Sequence, residues 1–283
     1  FILGAIDDYY TLSWRYKLPI QLFIGTLIII QFFPHIDTVL FFGTALPLAQ
    51  LALIIIFVFW FIGISNSINL IDGLDGLAGG FMLLVSFAAA IMGFIEGNLG
   101  FMYINILYIA ALLAFLHFNQ RPAKFFMGDS GSLLLGYHLA VLPLLFVTQD
   151  GGIGSKIDMT PFLLLSSYLI TDTVRIFFMR IKRGKHPLEP DQGHLHYQLY
   201  NYGSSHNGTL MTIFILCGIG CILSILPTTS FFYNDVAMGF YLVVLGIGSF
   251  SQGYTKKFVK RIAQIGNLGR NRIMKQNSFI SNF

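Results

Sequence analysis

Long apolar segments constrain this chain more than any other feature of its sequence. A helix that crosses a bilayer needs roughly 20 mostly apolar residues. Eight segments approach that length, namely residues 18–33, 46–64, 77–95, 101–118, 131–147, 161–178, 210–226 and 236–250. Charged residues make up 11% of the sequence, less than half of the roughly 25% that soluble domains carry, so a soluble globule is excluded. We predict an all-α fold, a polytopic integral membrane bundle with about eight transmembrane helices.

The two ends of the chain differ from this apolar core. The first six residues are apolar and lack the basic start of a signal peptide, so we expect them to be the end of a further helix and predict that N-terminal helices are missing. Residues 254–283 are rich in Lys and Arg, which suits contact with anionic lipid headgroups. We therefore divide the chain into a transmembrane domain, residues 1–253, and a basic cytoplasmic tail, residues 254–283.

The basic residues predict an orientation in the membrane. Eight spans place both chain ends on one side, and Lys156 is then the single basic residue on the other side, so 16 of the 17 Lys and Arg share one face. Basic residues concentrate in the cytoplasmic loops of membrane proteins. This face is therefore predicted to be cytoplasmic.

Four polar motifs lie at predicted helix ends on the same face. In chain order they are Asp7-Asp8 with Lys17; Asn66-x-x-Asn69-x-x-Asp72-Gly73-Leu74-Asp75-Gly76; Phe126-Met127-Gly128-Asp129-Ser130-Gly131-Ser132, preceded by Asn119; and Asp172 with the later Asp191-x-x-His194-x-His196. Charged side chains at membrane depth are costly and commonly mark functional sites. A helical bundle would bring these helix ends together around one cleft.

Carboxylates predominate in the motifs and indicate their chemistry. Several carboxylates that face one cavity repel one another unless a cation or a proton lies between them. Oxygen ligands without cysteine suit a hard ion such as Mg²⁺, which completes its shell with water and substrate phosphate. The Gly-rich turn at residues 128–131 can aim backbone N–H groups at an anion where a helix begins. Together these features indicate phosphoryl transfer.

The second motif also predicts an interrupted helix. Its Asn66, Asn69, Asp72 and Asp75 recur at every third residue, a spacing that aligns side chains on a 3₁₀ or unwound segment but not on an α-helix. The glycine that follows each aspartate permits irregular backbone. We hypothesise a broken helix end whose polar side lines the cleft.

Each motif taken alone also has a structural explanation. Asp-Asp is commonly a helix cap, Asp-Gly pairs form turns, Asn-x-x-Asn can link helices by hydrogen bonds, and histidines on a loop are commonly exposed. An ion-coupled transporter is the alternative class of protein. Transporters, however, place their ion sites near the bilayer midplane between repeated halves, whereas the acids here cluster at one surface and no second half echoes the first.

The four motifs, in this order and over nearly the whole chain, resemble those of the polyprenyl-phosphate N-acetylhexosamine-1-phosphate transferases (glycosyltransferase family 4). The resemblance is closest to the WecA and TagO branch, whose members move N-acetylglucosamine 1-phosphate from UDP-GlcNAc to undecaprenyl phosphate and release UMP. It implies the first membrane step of cell-envelope polysaccharide synthesis (O-antigen, enterobacterial common antigen or teichoic acid) in a bacterial inner membrane. One departure is Tyr197, where many of these relatives have another histidine.

The resemblance also implies roles for individual residues. The implied catalytic residues are Asp7 and Asp8, which handle the acceptor phosphate, Lys17, Asp72, His194 and His196. A uridine pocket would comprise Gly73, Leu74, Asp75, Asn119 and Phe126. Mg²⁺, with Mn²⁺ as a substitute, would be held by Asp129 and Asn69.

The resemblance further implies partners and a larger bundle. The partners would be a UDP-sugar donor, the undecaprenyl lipid phosphate, the membrane and a second copy of the chain in a homodimer, with no nucleic acid. Family members have about ten or eleven spans, which implies two or three missing N-terminal helices. Two alternatives stay open: another UDP-N-acetylhexosamine or UDP-MurNAc-pentapeptide as the donor, and a covalent aspartyl intermediate instead of one-step attack by the lipid phosphate.

Overall fold

The computed structural model of the chain describes residues 1–32, 36–46, 49–147, 155–184, 186, 193–201, 204–226 and 231–249. The predicted tail, residues 254–283, lies outside the described residues. In chain order the elements are α1 (Ile2–Tyr10), α2 (Trp14–Phe32), β1 (Ile36–Phe41), β2 (Thr44–Ala45), α3 (Gln50–Ile71), α4 (Leu77–Ile95), α5 (Leu99–Asn119), α6 (Gly128–Val147), β3 (Ser155–Asp158), α7 (Thr160–Leu165), α8 (Ser167–Lys182), α9 (Leu195–Asn201), α10 (His206–Ile225) and α11 (Phe231–Ser249).

Five helices are long and apolar enough to cross a membrane: α3, α4, α5, nearly all of α6, and α10. They coincide with five of the predicted spans and confirm a polytopic helical membrane protein. The other three predicted spans fall on α2, on α7 with α8, and on α11, which are not among the five candidates found in the described part of the chain. The total of eight spans therefore stays a prediction.

The bundle is built from pairs of long helices. Helix α4 packs against α5 and α10, α3 packs against α6, and the short α1 packs against α6 as well. In α4, 61% of the most apolar window is buried, whereas in α5 the buried share is 17%. The outer side of α5 carries exposed apolar side chains such as Leu107, as expected for a helix that is apolar all round and faces lipid.

The predicted helix interruption is present between α3 and α4. Helix α3 ends at Ile71 and α4 begins at Leu77, so residues 72–76 form a turn. Gly76 closes this turn with a φ of 78°, a left-handed conformation that favours glycine. The hypothesis of a broken helix end is confirmed, although Asn66 and Asn69 themselves lie on regular α3.

A second interruption corrects the predicted span at residues 161–178. This segment divides at Ser166 into α7 and α8, and α8 continues to Lys182. The Ser166 hydroxyl donates to the carbonyl of Phe162 at 2.5 Å. Such bonds from serine to its own helix backbone tend to bend helices. Two adjacent serines, Ser166 and Ser167, in an apolar segment are too weak a signal to predict this break.

A three-stranded sheet lies at the end of the bundle opposite the α3–α4 turn. The all-helical prediction did not include it. Strand β1 pairs with β2 as an antiparallel hairpin and with β3 in parallel, with Val39 opposite Ile157. Because β1 belongs to the α2–α3 connection and β3 to the α6–α7 connection, the sheet holds these two connections together. The turns after α1, α3 and α5 consequently share the other end of the bundle.

Candidate active site

Three charged side chains meet where α1, α2 and α6 come together. Lys17 Nζ donates to Asp7 Oδ2 at 2.5 Å and to Asp129 Oδ2 at 3.2 Å. Asp7 is only 5% exposed. Burial alone would raise its pKa, but contacts with Asp129, Lys17 and the N–H of Leu12 outweigh burial and lower it. The structure thus joins the first and third motifs through an ionised carboxylate and a shared ammonium.

Asp8 contacts the backbone at the start of α6. Its Oδ1 accepts the N–H of Asp129 at 2.6 Å, and its Oδ2 accepts the N–H of Ser130 at 3.0 Å. Burial raises the pKa of Asp8, but the bonds from Ser130 and Asp129 lower it overall. These N–H groups have no partner within the helix, so Asp8 caps α6 from a distant part of the chain. The anion at the Gly-rich turn is therefore the carboxylate of Asp8.

Gly128 makes this contact sterically feasible. Its φ is 64°, and a Cβ at this position would lie 2.8 Å from both carboxylate oxygens of Asp8. A larger residue would therefore strain the backbone and displace the carboxylate. Gly128 of the third motif therefore leaves the space that the carboxylate of Asp8 in the first motif occupies.

Asn69 and Asp72 bring the second motif to the same place. Asn69 Nδ2 donates to Asp129 Oδ1 at 2.8 Å and to Ser132 Oγ at 3.0 Å. Burial, and then the negative charges of Asp129 and Asp75, raise the pKa of Asp72 from 3.8 to about 6. Burial thus makes the largest contribution to the raised pKa of Asp72, and the two neighbouring carboxylates add to it.

The donor atoms of this cluster suit a hard divalent cation. Over the described parts of the chain, no three His, Cys, Asp or Glu side chains form a ready-made metal site. Mg²⁺, however, commonly takes one or two protein carboxylates and fills its remaining positions with water and phosphate. Asp129 fits that role, and rotation of the adjacent Asn69 amide would present a second oxygen. A cation there would balance the charge of Asp129, which adds to the effect of burial on the pKa of Asp72.

The residues predicted for the uridine pocket lie around the α3–α4 turn. Gly73, Leu74 and Asp75 belong to that turn, Asn119 ends α5, and Phe126 precedes α6. Phe126 is 69% exposed, which leaves its ring accessible for stacking on a base.

Two of these pocket residues fasten the neighbouring turns to each other. Asn119 Oδ1 accepts the N–H of Gly76 at 2.9 Å, and its Nδ2 donates to the carbonyl of Phe125 at 2.8 Å. Asp75 Oδ2 accepts the N–H of Ala123 at 3.2 Å. These bonds connect the α3–α4 turn to the α5–α6 turn, so both side chains help to set the relative position of the two turns.

The two histidines of the fourth motif are buried, which excludes the alternative that they are exposed loop residues. His194 is 2% and His196 0% exposed, and their rings lie 16° from parallel. Burial lowers the pKa of His196 to about 4, so this ring is neutral near pH 7. A Cβ on Gly73 would lie 3.0 Å from His196 Nε2 and would collide with Tyr197. His196 therefore packs against the α3–α4 turn, while Asp191 lies outside the described residues.

Further polar contacts around the site were missed by the sequence analysis. Gln21 of α2 and Asn66 of α3 exchange two amide hydrogen bonds, at 3.2 and 2.8 Å. His206 Nε2 lies 2.9 Å from the carbonyl oxygen of Asp75. A glutamine inside an apolar segment was an available signal for the first contact. A histidine just before a span is ordinary and gave no signal for the second.

Comparison with known proteins gives a consistent family. The family model "Glycosyl transferase family 4" matches residues 1–147. A probable undecaprenyl-phosphate N-acetylglucosaminyl 1-phosphate transferase of Bacillus subtilis (strain 168) is 33% identical over 248 residues, which cover 86% of this chain and 67% of the relative. An undecaprenyl-phosphate alpha-N-acetylglucosaminyl 1-phosphate transferase of Thermotoga maritima is 31% identical over 234 residues, 82% of this chain and 68% of the relative.

A second kind of relative matches a shorter part of the chain. A phospho-N-acetylmuramoyl-pentapeptide-transferase of Lactobacillus helveticus is 38% identical over 159 residues, 51% of this chain and 48% of the relative. The chain spans about two thirds of the first two relatives and about half of this one.

Fold and site together define a class of protein: a polytopic helical membrane protein with carboxylates, a lysine and a helix N-terminus gathered at one end of its bundle. The chain belongs to glycosyl transferase family 4. The resemblance stated from its four motifs is thereby confirmed.

Proposed function

We propose that this chain transfers N-acetylglucosamine 1-phosphate from UDP-GlcNAc to undecaprenyl phosphate and releases UMP. The observation that carries the proposal is the pair of carboxylates, Asp7 and Asp129, bridged by Lys17 at one end of the bundle. Similarity to two transferases of this name over more than four fifths of the chain supports the choice of donor and acceptor. The reaction would be the first membrane step of a cell-envelope polysaccharide.

The proposed reaction is a substitution at phosphorus. An oxygen of the lipid phosphate attacks the phosphorus attached to the sugar, and the bond from that phosphorus to the bridging oxygen breaks. UMP leaves with this oxygen and its electron pair. A phosphate monoester has a second pKa of about 6, so the attacking group is mostly ionised near neutral pH and needs little help from a base.

The residues of the site have distinct parts in this reaction. Lys17 balances negative charge on the phosphates, and Asp7 holds its ammonium in place. Asp8 is poorly suited to covalent attack because both of its oxygens accept backbone hydrogen bonds. We therefore favour one-step transfer. Trapping of a sugar phosphate on Asp7 or Asp8 would favour the covalent alternative instead.

Mg²⁺ is the proposed cofactor, with Mn²⁺ as a substitute. Asp129 and Asn69 would hold it beside Lys17. When bound, such an ion would supply positive charge that offsets the negative charge of the diphosphate. The excess of carboxylates at Asp7, Asp72 and Asp129 supports a cation at this position.

The proposed setting is the bacterial inner membrane, with the site on the cytoplasmic side and a homodimer as the assembly. The concentration of Lys and Arg at the end of the bundle that carries the motifs supports the cytoplasmic placement of the site. UDP-MurNAc-pentapeptide is the second candidate donor, because phospho-N-acetylmuramoyl-pentapeptide transferases match about half of the chain.

The decisive experiment follows label from the donor to the lipid. Full-length protein in detergent receives undecaprenyl phosphate and UDP-GlcNAc labelled in the sugar, with Mg²⁺ or with EDTA, and both lipid label and UMP are measured. We expect transfer with Mg²⁺, loss with EDTA, and a decrease of about 100-fold or more in Asp129→Asn. Glu96→Gln, which changes an exposed carboxylate at the opposite end, should behave as wild type.

Other outcomes of the same assay are informative. UMP release with UDP-MurNAc-pentapeptide alone would retain the chemistry and change the donor. No turnover with any UDP-sugar would overturn the proposed function.

A further inference from the structure

Asp172 is a buried carboxylate that contacts one of the site histidines. It lies in α8 and is 3% exposed. Its Oδ2 lies 2.8 Å from His194 Nδ1, while its Oδ1 accepts bonds from Arg175 Nη2 at 2.6 Å and from the N–H of Leu195 at 3.0 Å. A buried carboxylate is costly unless it is paired and hydrogen-bonded. Here both oxygens are fully engaged with groups that surround His194.

Arg175 extends this attachment to the backbone before His194. Its Nη2 also donates to the carbonyl oxygen of Gly193 at 2.7 Å, and Gln198 Nε2 donates to the same oxygen at 2.8 Å. The residues on both sides of His194 are therefore bonded to α8. The ring of His194 has its position set by this helix.

Asp172 also determines which nitrogen of the His194 ring carries a proton. A carboxylate only accepts hydrogen bonds, so Nδ1 is the protonated nitrogen. In a neutral imidazole the other ring nitrogen carries no proton. Nε2 of His194 consequently presents a lone pair.

Two buried rings, His194 and His196, carry nitrogens that lack a hydrogen-bond partner in the described part of the chain. Among the described residues, His194 Nε2 and both ring nitrogens of His196 are buried without a hydrogen bond. Buried polar atoms are nearly always hydrogen-bonded, so a ligand is the natural partner. His196 Nε2 lies close to Gly73, next to the aspartate of the second motif.

We propose that Asp172 and Arg175 are positioning residues for recognition of the donor sugar. They hold His194 as the Nδ1–H tautomer, and Nε2 then accepts a hydrogen bond from a hydroxyl or from the N-acetyl N–H of the sugar. Phosphate oxygens offer no proton and do not satisfy this lone pair. The inference rests on the proposed function and assigns the histidine to the sugar rather than to the diphosphate.

Asp172→Asn tests this assignment without changing the size of the side chain. The new amide can donate to Nδ1, which moves the ring proton to Nε2 and removes the lone pair. We expect the KM for UDP-GlcNAc to rise about tenfold or more, with the KM for undecaprenyl phosphate unchanged. Calorimetric binding of UDP, which lacks the sugar, should stay within about twofold of wild type, whereas a merely structural defect would weaken UDP as well.

His194→Asn provides a second variant that retains the Asp172–Arg175 ion pair. It should show the same selective loss for UDP-GlcNAc, and the double variant should lose no more than either single one, because both remove one interaction. Equal weakening of UDP and UDP-GlcNAc, or losses that multiply in the double variant, would overturn the inference. So would unchanged UDP-GlcNAc affinity in both variants of an enzyme whose wild type uses UDP-GlcNAc. Failure of the wild type to use it would overturn the proposed function.

Discussion

Asp7 and Asp8 are neighbours in the chain, yet they lie in different surroundings. Asp7 is buried against Lys17, whereas Asp8 is exposed and bonded to the backbone of α6. Successive residues of a helix point about 100° apart, so adjacent carboxylates need not share a role. The motif predicts that both aspartates lie at the site, but it does not predict that they have different partners and different burial.

The cap formed by Asp8 gives a prediction for stability. Asp8→Ala leaves two N–H groups of α6 without their partner and should lower the free energy of unfolding by about 1 kcal/mol. Asp8→Asn retains an acceptor oxygen and should cost less. Thermal unfolding in detergent measures both changes against Glu96→Gln. An unchanged unfolding temperature in Asp8→Ala would contradict the capping role.

Burial of His196 gives a pH dependence of stability. Its pKa is lowered by burial from 6.5 to about 4, so the unfolded chain takes up a proton below pH 6.5 while the folded chain resists until about pH 4. The free energy of unfolding that depends on the neutral His196 ring is fully present above pH 6.5. It is lost as the pH falls from 6.5 to about 4, and the loss amounts to up to about 3 kcal/mol.

His196→Gln removes this titration and serves as the comparison. Unfolding temperatures in detergent between pH 7.5 and 4.5 should fall more steeply for the wild type than for the variant. The same slope for both proteins would show that His196 is not buried in its neutral form.

At the scale of elements, the approach of α3 to α6 depends on Gly136. A Cβ on Gly136 would lie 2.5 Å from the carbonyl oxygen of Ser65, whereas a Cβ on Gly63 of α3 would meet nothing within 4 Å. Gly136→Ala should therefore separate the helices, lower the free energy of unfolding by about 1–3 kcal/mol, and reduce transfer, since these helices carry Asn69 and Asp129. Gly63→Ala should be neutral or slightly stabilising. Thermal unfolding and the labelled-sugar assay compare the two variants, and equal effects would refute the close approach.

The helices were largely predictable because the length of an apolar segment is enough to specify a span. Helix α4 begins and ends at the predicted residues 77 and 95. The sheet was not predictable, because β2 has two residues and β3 four, too few to show an alternating pattern. The break at Ser166 coincides with a pair of serines, which is too short a pattern to predict it.

The site was predictable to the extent that alternating spans place four motifs at one end. The partners of each side chain were not, since they depend on turn geometry that no spacing encodes. Asn119 illustrates this limit, because its bonds to Gly76 and Phe125 join two separate turns. Asp172 appeared in the fourth motif, but its bond to His194 spans 22 residues.

At the scale of the whole molecule, the orientation in the membrane can be measured. Glu96 and Lys124 are exposed on turns at opposite ends of the bundle, and the two native cysteines, Cys217 and Cys221, are buried. We expect a membrane-impermeant thiol reagent to label Glu96→Cys in intact cells and Lys124→Cys only in inside-out vesicles. The reverse labelling would place the site outside the cytoplasm.

The parallel pairing of β1 with β3 has a consequence for biosynthesis. The partners Ile36 and Ser155 are separated by roughly 120 residues, so at a synthesis rate of about 5–20 residues per second β3 emerges on the order of 10 s after β1. Helices α3 to α6 are made in that interval. The parallel pair can therefore form only after the four helices α3 to α6 have been made. A ribosome stalled before residue 155 would leave the edge of β1 without its parallel partner.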